Sequence, residues 1–193
     1  MSKYKKYDDA SLVKACLRYK SRAQEELYDR FSFLVKGIAL RYSKSNDQAE
    51  DIVQESFIKI FDKLNTFKNQ GNLGGWIRIV TVNTALAFLR KKKLIVYEDD
   101  AKFENHQVSI TYLDELELED LLLKIRALST GFQTVFNLYA IEGYTHKEIG
   151  EMLGISEGTS KSQYSRAKAE LRKMIEEEYR ADEKLKNMNH VGS

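Results

Sequence analysis

Thr145-His146-Lys147-Glu148-Ile149-Gly150-Glu151-Met152-Leu153-Gly154-Ile155-Ser156-Glu157-Gly158-Thr159-Ser160-Lys161-Ser162-Gln163-Tyr164-Ser165-Arg166 is the stretch on which the fold turns. Thr145 and Glu148 stand at the spacing of a capping box, and Gly154 sits where a left-handed residue would end a first helix. Ser156 can cap a second helix by accepting from backbone donors that have no intrahelical partner. Two helices therefore meet across a very short turn. On the second, Ser160, Tyr164, Ala167 and Leu171 recur at helical spacing as an inward stripe. Gly158, Ser162, Ser165 and Arg166 take the opposite arc, with Lys161 and Arg172 beside them. Small hydrogen-bonding groups and cations on one arc suit a DNA major groove. An ordinary amphipathic helix with a solvated basic face is the alternative, and capping, paired glycines and polarity together weigh against it.

The chain has 193 residues, 42% hydrophobic and 31% charged, with no proline. Helical periodicity dominates, so an all-α protein of two small domains is expected. The single cysteine, Cys16, lies in an apolar helical pattern and reads as core, and one thiol cannot form an internal disulfide. Residues 1–9 are charged and lack the apolar segment of a signal peptide, and the apolar stretch around Phe31 to Leu40 is too short and interrupted to span a bilayer. A cytoplasmic protein without stable membrane insertion is the expectation.

The net charge of +2 conceals segregation along the chain. Residues 1–93 hold 19 basic and 10 acidic side chains, residues 94–130 hold 3 and 9, and the remainder holds 9 and 10. A basic first domain, an acidic connector and a nearly neutral final domain with a basic helix point to two surfaces that meet a polyanion.

The first domain reads as four helices. Asp9 can cap a short one through about Tyr19. Ser21 and Gln24 have capping-box spacing for a second, on which Ala23, Leu27, Phe31, Leu34, Ile38 and Tyr42 trace one face. Asp47 and Glu50 cap a third, with Val53, Phe57, Ile60 and Leu64 on its core side and Asp51, Gln54, Glu55 and Asp62 facing away. Ile58 falls among these polar residues, either as a scattered surface hydrophobe or as the apolar anchor of a protein-binding face. The loop from Lys68 to Gly75 has three glycines but no lysine and hydroxyl after them, which argues against a phosphate-binding loop. The fourth helix opens near Trp76, buries Ile79, Val82, Leu86 and Leu89, and ends in Arg90, Lys91, Lys92 and Lys93. Asn83 lies at the edge of that stripe, where its amide can satisfy backbone groups or read a base edge. Cations at a helix C-terminus oppose the macrodipole, yet four in succession exceed that need and suit backbone phosphates. Phe67 and Trp76 can stack on unpaired bases, although Trp76 reads mainly as core.

Three segments then carry a resemblance. Asp51-Ile52-Val53-Gln54-Glu55-Ser56-Phe57-Ile58-Lys59-Ile60-Phe61, Gly75-Trp76-Ile77-Arg78-Ile79-Val80-Thr81-Val82-Asn83-Thr84-Ala85 and the paired helices quoted above resemble, in this order, the sigma-70 factors of the extracytoplasmic-function (ECF) group. The wording around Ile141 to Ile149 and Gly158 to Ser162 is most similar to Bacteroidetes forms. The resemblance implies a protein that binds core RNA polymerase, directs it to promoters and helps to open the duplex. It implies sigma region 2 over residues 1–93, an acidic linker over 94–113, sigma region 4 over 114–178 and a C-terminal tail over 179–193. Asp51, Gln54, Glu55 and Ile58 would dock on the clamp coiled coil of the largest polymerase subunit. Phe67 and Asn83, with the loop after Phe67, would hold a flipped base of the minus-ten element, while Arg90, Lys91, Lys92 and Lys93 track nearby phosphates. Lys161, Ser162, Gln163 and Arg166 would lead the reading of the minus-thirty-five element, completed by Ser156, Gly158, Thr159 and Ser165. Glu98, Asp99, Asp100 and Glu104 of the linker could imitate nucleic acid, or simply be solvated. An anti-sigma protein is the expected regulator.

Two departures stand out. Ser129 and Thr130 occupy positions where many relatives have proline, which softens a helix start. Ser160 replaces a common valine, so a hydroxyl enters the inward stripe and must either bond a backbone carbonyl or loosen the packing. A free-standing helix-turn-helix regulator is the alternative function, though no ligand pocket or phosphoacceptor is legible in the first domain. An enzyme is not expected: His106, His146 and His190 are scattered, with no partner at catalytic or metal-ligand spacing, and neither metal nor cofactor is called for.

Overall fold

Asp8 opens the first helix. Its carboxylate accepts from the Ser11 backbone N–H at 2.8 Å and caps α1 (Asp9–Cys16) in this computed structural model, which describes residues 8–68, 71–92, 94–95 and 118–190. The expected cap, Asp9, is used differently. It receives the Arg30 guanidinium at 3.2 Å and the Leu73 backbone N–H at 3.4 Å, and so ties α1 to the next helix and to the start of the fourth. Arg30 also reaches Glu26 at 2.7 Å, one turn back on its own helix.

Every regular element among the described residues is helical, and the chain divides into two compact units between Leu94 and Ile95. In the first, α1 is followed by α2 (Ser21–Tyr42), α3 (Asn46–Lys63), a 3-10 turn (Leu64–Thr66) and α4 (Leu73–Lys91). The turn between α1 and α2 passes through Tyr19 at φ 54, a left-handed non-glycine residue, and Lys20 donates its N–H back to Ala15 O at 3.3 Å. That turn already closes the helix start. Lys20 is the N-cap residue of α2 and has no side-chain cap, so the Ser21/Gln24 box does not form. At α3 the cap also lies earlier than expected. Ser45 Oγ accepts from Gln48 N at 3.2 Å and Gln48 returns its amide oxygen to Lys44 N at 3.0 Å, which leaves Asp47 and Glu50 inside the helix.

The core of this unit joins Leu12, Leu27, Phe31, Val35, Ile60, Leu64, Leu73 and Ile77. Val35 and Ile52 are fully buried, while Leu34 and Val53, expected inside, are half-buried. On α4 the buried face runs through Ile77, Thr81, Val82, Ala85, Leu86, Phe88 and Leu89, and Ile79 is 52% exposed. The helix is apolar on two adjacent faces, and α2 and α3 pack on only part of it. Full burial of an isoleucine contributes about 1.5–3 kcal/mol; that gain goes to Ile77, two residues from Ile79 and so on another face. Cys16 is buried in this core, and burial pushes its thiol up to about 11.

The second unit contains α5 (Leu118–Ala127), α6 (Thr130–Phe136), a π-helical stretch (Asn137–Ile141), α7 (His146–Leu153) and α8 (Glu157–His190). Ser129 caps α6 through a hydrogen bond from Phe132 N at 3.4 Å, so a hydroxyl fixes the helix start where a softened one was expected. Ile125, Leu128, Phe136, Ala167 and Leu171 form the core, with Phe132, Ile141 and Tyr164 packed on it. Lys124 pairs with Glu178 and fastens α5 to the middle of α8. No helix among the described residues is long and apolar enough to cross a membrane.

Candidate nucleic-acid interface

The turn between α7 and α8 is built by local chemistry. Glu148 N donates to Thr145 Oγ1 at 3.3 Å, and Thr145 N donates to Glu148 Oε2 at 2.8 Å, which closes the capping box and lowers the Glu148 carboxyl below its usual range. Gly154 ends α7 at φ 71, a conformation that costs glycine no Cβ clash. The chain then folds over Gly150, whose carbonyl receives Gly154 N at 2.9 Å and Ile155 N at 3.0 Å. A Cβ at Gly150 would lie 2.8 Å from Ile155 O, so the turn closes only on a residue without one. Ser156 Oγ accepts from Thr159 N at 2.9 Å and starts α8.

The expected reading face of α8 divides by exposure. Gly158 and Lys161 are exposed, and Thr159, Ser162, Ser165 and Arg166 are half-buried. Ser156 is exposed, but its oxygen is engaged by Thr159, and the Ser162 hydroxyl donates to Thr159 O at 3.0 Å. Lys161 Nζ lies 2.6 Å from Glu157 Oε1, and this hydrogen bond holds the Glu157 carboxyl below its ordinary range. Gln163 is corrected: at 1% exposure it is directed into the domain and does not belong to the outer arc. It follows Ser160 by three residues and precedes Ala167 by four, both fully buried, and the helical repeat carries it inward with them.

His146 is the residue that sequence reasoning missed. Its Nδ1 lies 3.0 Å from Ser160 Oγ, its ring stacks on Tyr139 at 4.1 Å and 10°, and the Tyr164 ring stands 5.8 Å away. The Ser160 hydroxyl thus neither returns to its own backbone nor loosens the packing; it meets a side chain of α7. Burial lowers the basicity of His146, Lys161 and Lys168 lower it further, and Glu157 opposes them. The signal was a polar residue at a buried position of α8, fourteen residues after a histidine at the start of α7.

In the first unit, Asn72 caps α4 by accepting from Gly74 N at 2.6 Å and Gly75 N at 3.3 Å. The helix therefore begins at Leu73, and Gly74 and Gly75 belong to its first turn instead of the preceding loop. Phe67 is corrected: it is 9% exposed within the core and faces Trp76 at 5.9 Å between ring centroids, so it offers no open face for base stacking. The physical reason is the 3-10 turn at 64–66, which folds Phe67 back onto the helices. Asn83 is exposed one turn from Ile79. Arg90, Lys91 and Lys92 are exposed at the end of α4, and Lys93 lies outside the described residues, as does the linker apart from Leu94 and Ile95. Lys92 contacts Asp51 at 3.4 Å and lies over the Phe88 ring at 4.3 Å. On α3, Asp51, Gln54 and Ile58 share an exposed arc, with Ile58 68% exposed, and half-buried Glu55 pairs with Lys59 at 2.8 Å.

Residues 27–95 match the family description Sigma-70 region 2, and residues 118–171 match Sigma-70, region 4. The chain is 30% identical over 154 residues to the ECF RNA polymerase sigma factor SigE of Mycolicibacterium smegmatis, covering 77% of this chain and 60% of that protein. It is 30% identical over 184 residues to the ECF RNA polymerase sigma-E factor of Haemophilus influenzae, covering 87% of this chain and 93% of the relative. The sigma factor RpoE solved in complex with the anti-sigma factor NepR from Bartonella quintana shares the fold at a TM-score of 0.50 and 22% identity, over 79% of this chain and 96% of that one.

Proposed function

The chain belongs to the sigma-70 family of RNA polymerase sigma factors, in its ECF group, and from this premise we propose how its residues divide the work of initiation. As an ECF sigma factor it binds core polymerase, recognises promoter elements and promotes transcription initiation; it is not a free-standing regulator. The observation that carries the residue-level reading is the capped turn that sets the α8 arc outward: Gly158 and Lys161 are exposed beside half-buried Ser162, Ser165 and Arg166.

Residues 1–93 serve as region 2, 94–113 as the acidic linker, 114–178 as region 4 and 179–193 as a tail. Lys161, Ser162, Ser165 and Arg166 read the minus-thirty-five element, while Ser156 and Thr159 hold the helix start from which they read. Asn83, exposed on α4, contacts an extruded minus-ten base, and Arg90 to Lys93 follow the phosphates. Asp51, Gln54 and Ile58 dock on the clamp of the largest polymerase subunit, with Ile58 as the apolar anchor inside a polar rim. This assigns no catalysis to the chain itself and places it in the cytoplasm with the polymerase. An anti-sigma partner is proposed from the sigma factor RpoE, solved with one. A Bacteroidetes-type origin is proposed from the wording of 141–149 and 158–162.

Run-off transcription tests the assignment. Purified core polymerase with the full chain is expected to give transcripts of defined start from promoters in its genomic neighbourhood, and none without it. Duplex binding by the chain alone, with no transcript in either case, would refute it.

A further inference from the structure

We propose that His146 is a positioning residue that fixes the rotation of α8 for base reading. The inference rests on the sigma-factor reading of α8 and extends it from the residues that face DNA to one that aims them. Ser160 is fully buried between Thr159 and Lys161 of the reading segment, and its backbone N–H is already committed to Ser156 O at 3.0 Å. Its hydroxyl is spent across the turn, on His146 Nδ1 at 3.0 Å. The ring it meets is itself held, in a near-parallel stack on Tyr139 at 4.1 Å and with Tyr164 of α8 4.5 Å from Tyr139.

The π-helical stretch is what brings Tyr139 there. Glu142 N donates to Asn137 O at 2.9 Å, five residues back, so the helix widens before it turns through Gly143 at φ 82 toward α7. The imidazole, carried by α7, is thus flanked by the π-helical stretch on one side and meets α8 at Ser160 on the other. Side-chain tips lie about 5–6 Å from a helix axis. A rotation of α8 by about 20° therefore displaces them by about 2 Å, enough to break a base-edge hydrogen bond. An apolar residue at 160 fills space without direction, whereas a hydrogen bond prescribes an angle.

The test is run-off transcription by core polymerase carrying full-length variants, on promoter pairs with the minus-thirty-five element intact or scrambled. Ser160→Ala and His146→Phe should each lower the intact-to-scrambled ratio about three- to tenfold, with output on the scrambled promoter unchanged. His146→Asn, whose Oδ1 falls near the place of Nδ1, should keep the ratio within about twofold of wild type. The double variant Ser160→Ala/His146→Phe should lose no more than the worse single one, because both remove one interaction. Helical content by circular dichroism separates misaiming from unfolding, and should His146→Phe unfold, Ser160→Ala, a substitution to a strong helix former, decides. An undiminished ratio in folded Ser160→Ala, or losses that add in the double variant, overturns the proposal. Failure of the wild-type chain to support any transcript would instead overturn the sigma reading beneath it.

Discussion

His146 and Ser160, fourteen residues apart and on different helices, meet at 3.0 Å across the α7–α8 turn. The two residues sit where α7 starts and where the reading segment of α8 is buried, so one contact links the entry to the motif with its reading face.

Acid should weaken the second unit through the partly buried His146 ring. The His146 pKa is lowered in the fold, first by burial and then by Lys161 and Lys168, with Glu157 opposing and the Tyr139 and Tyr164 rings flanking. Its unfolded value is about 6.5. The neutral form is the one the fold favours, so its stabilisation is fully present above about pH 6.5 and is lost as pH falls through the lower folded value. The lowered carboxyls, Asp8, Glu148, Glu157 and Glu176, act only below about pH 4.5. Urea unfolding of the full chain should therefore show a midpoint that declines between pH 7 and 5.5, and the decline should vanish in His146→Asn. An equal decline in that variant would assign it to other groups.

Gly150→Ala should destabilise the turn by about 1–3 kcal/mol, an overpacking cost. The added Cβ lies 2.8 Å from Ile155 O, a backbone atom that cannot withdraw without opening the bond from Ile155 N to Gly150 O. Thermal unfolding checks it; an unchanged midpoint would mean that the turn relaxes freely.

Thr145→Ala removes the oxygen that caps α7 and should cost about 1 kcal/mol. Glu148 keeps the larger of its two bonds, from the backbone N–H of residue 145, and loses only the hydroxyl, so its titration should move upward part of the way, measurable by NMR. A stability loss without that movement would place the effect elsewhere.

Ile58→Ala should reduce affinity for core polymerase by more than about 1 kcal/mol while leaving unfolding within about 0.5 kcal/mol of wild type. The side chain is 68% exposed, so the fold has little to lose. Equal affinity in a competition assay would return Ile58 to the class of scattered surface hydrophobes.

Arg166→Ala should weaken minus-thirty-five recognition by about 1–3 kcal/mol if the guanidinium makes a good base contact. Promoter preference, measured over base substitutions in that element, should broaden at one position; an unaltered profile would take Arg166 out of the reading set.

The helix-turn-helix was legible because its determinants are local. Thr145, Glu148, Gly154 and Ser156 act within four residues of themselves, and the structure uses each as its chemistry suggests. Asp9, Ser21 and Asp47 were misjudged as caps because a cap depends on how the chain enters the helix, and that entry is set by Tyr19, by Arg30 and by Ser45. Ile79 shows a second difficulty. Periodicity fixes which residues share a face but not which of two neighbouring apolar faces is covered, and only the packing of α2 and α3 on α4 decides that. Gln163 differs, since its spacing from Ser160 and Ala167 already set it on the inward stripe. Lys161 and Ile58 belong to open surface by sequence and are found there; Asn83, at the edge of a buried stripe by sequence, is exposed, whereas Phe67 is drawn inward by a short turn that its sequence does not announce.

The thiol of Cys16 has a consequence for signalling. Burial raises the thiol and keeps it from solvent, so little reactive thiolate forms at neutral pH. The only cysteine of this chain is thus a poor target for peroxide and for disulfide exchange. Thiol-based sensing of an oxidant therefore calls for a thiol on another molecule, and a cysteine engineered on the surface should be labelled by a maleimide dye far ahead of Cys16.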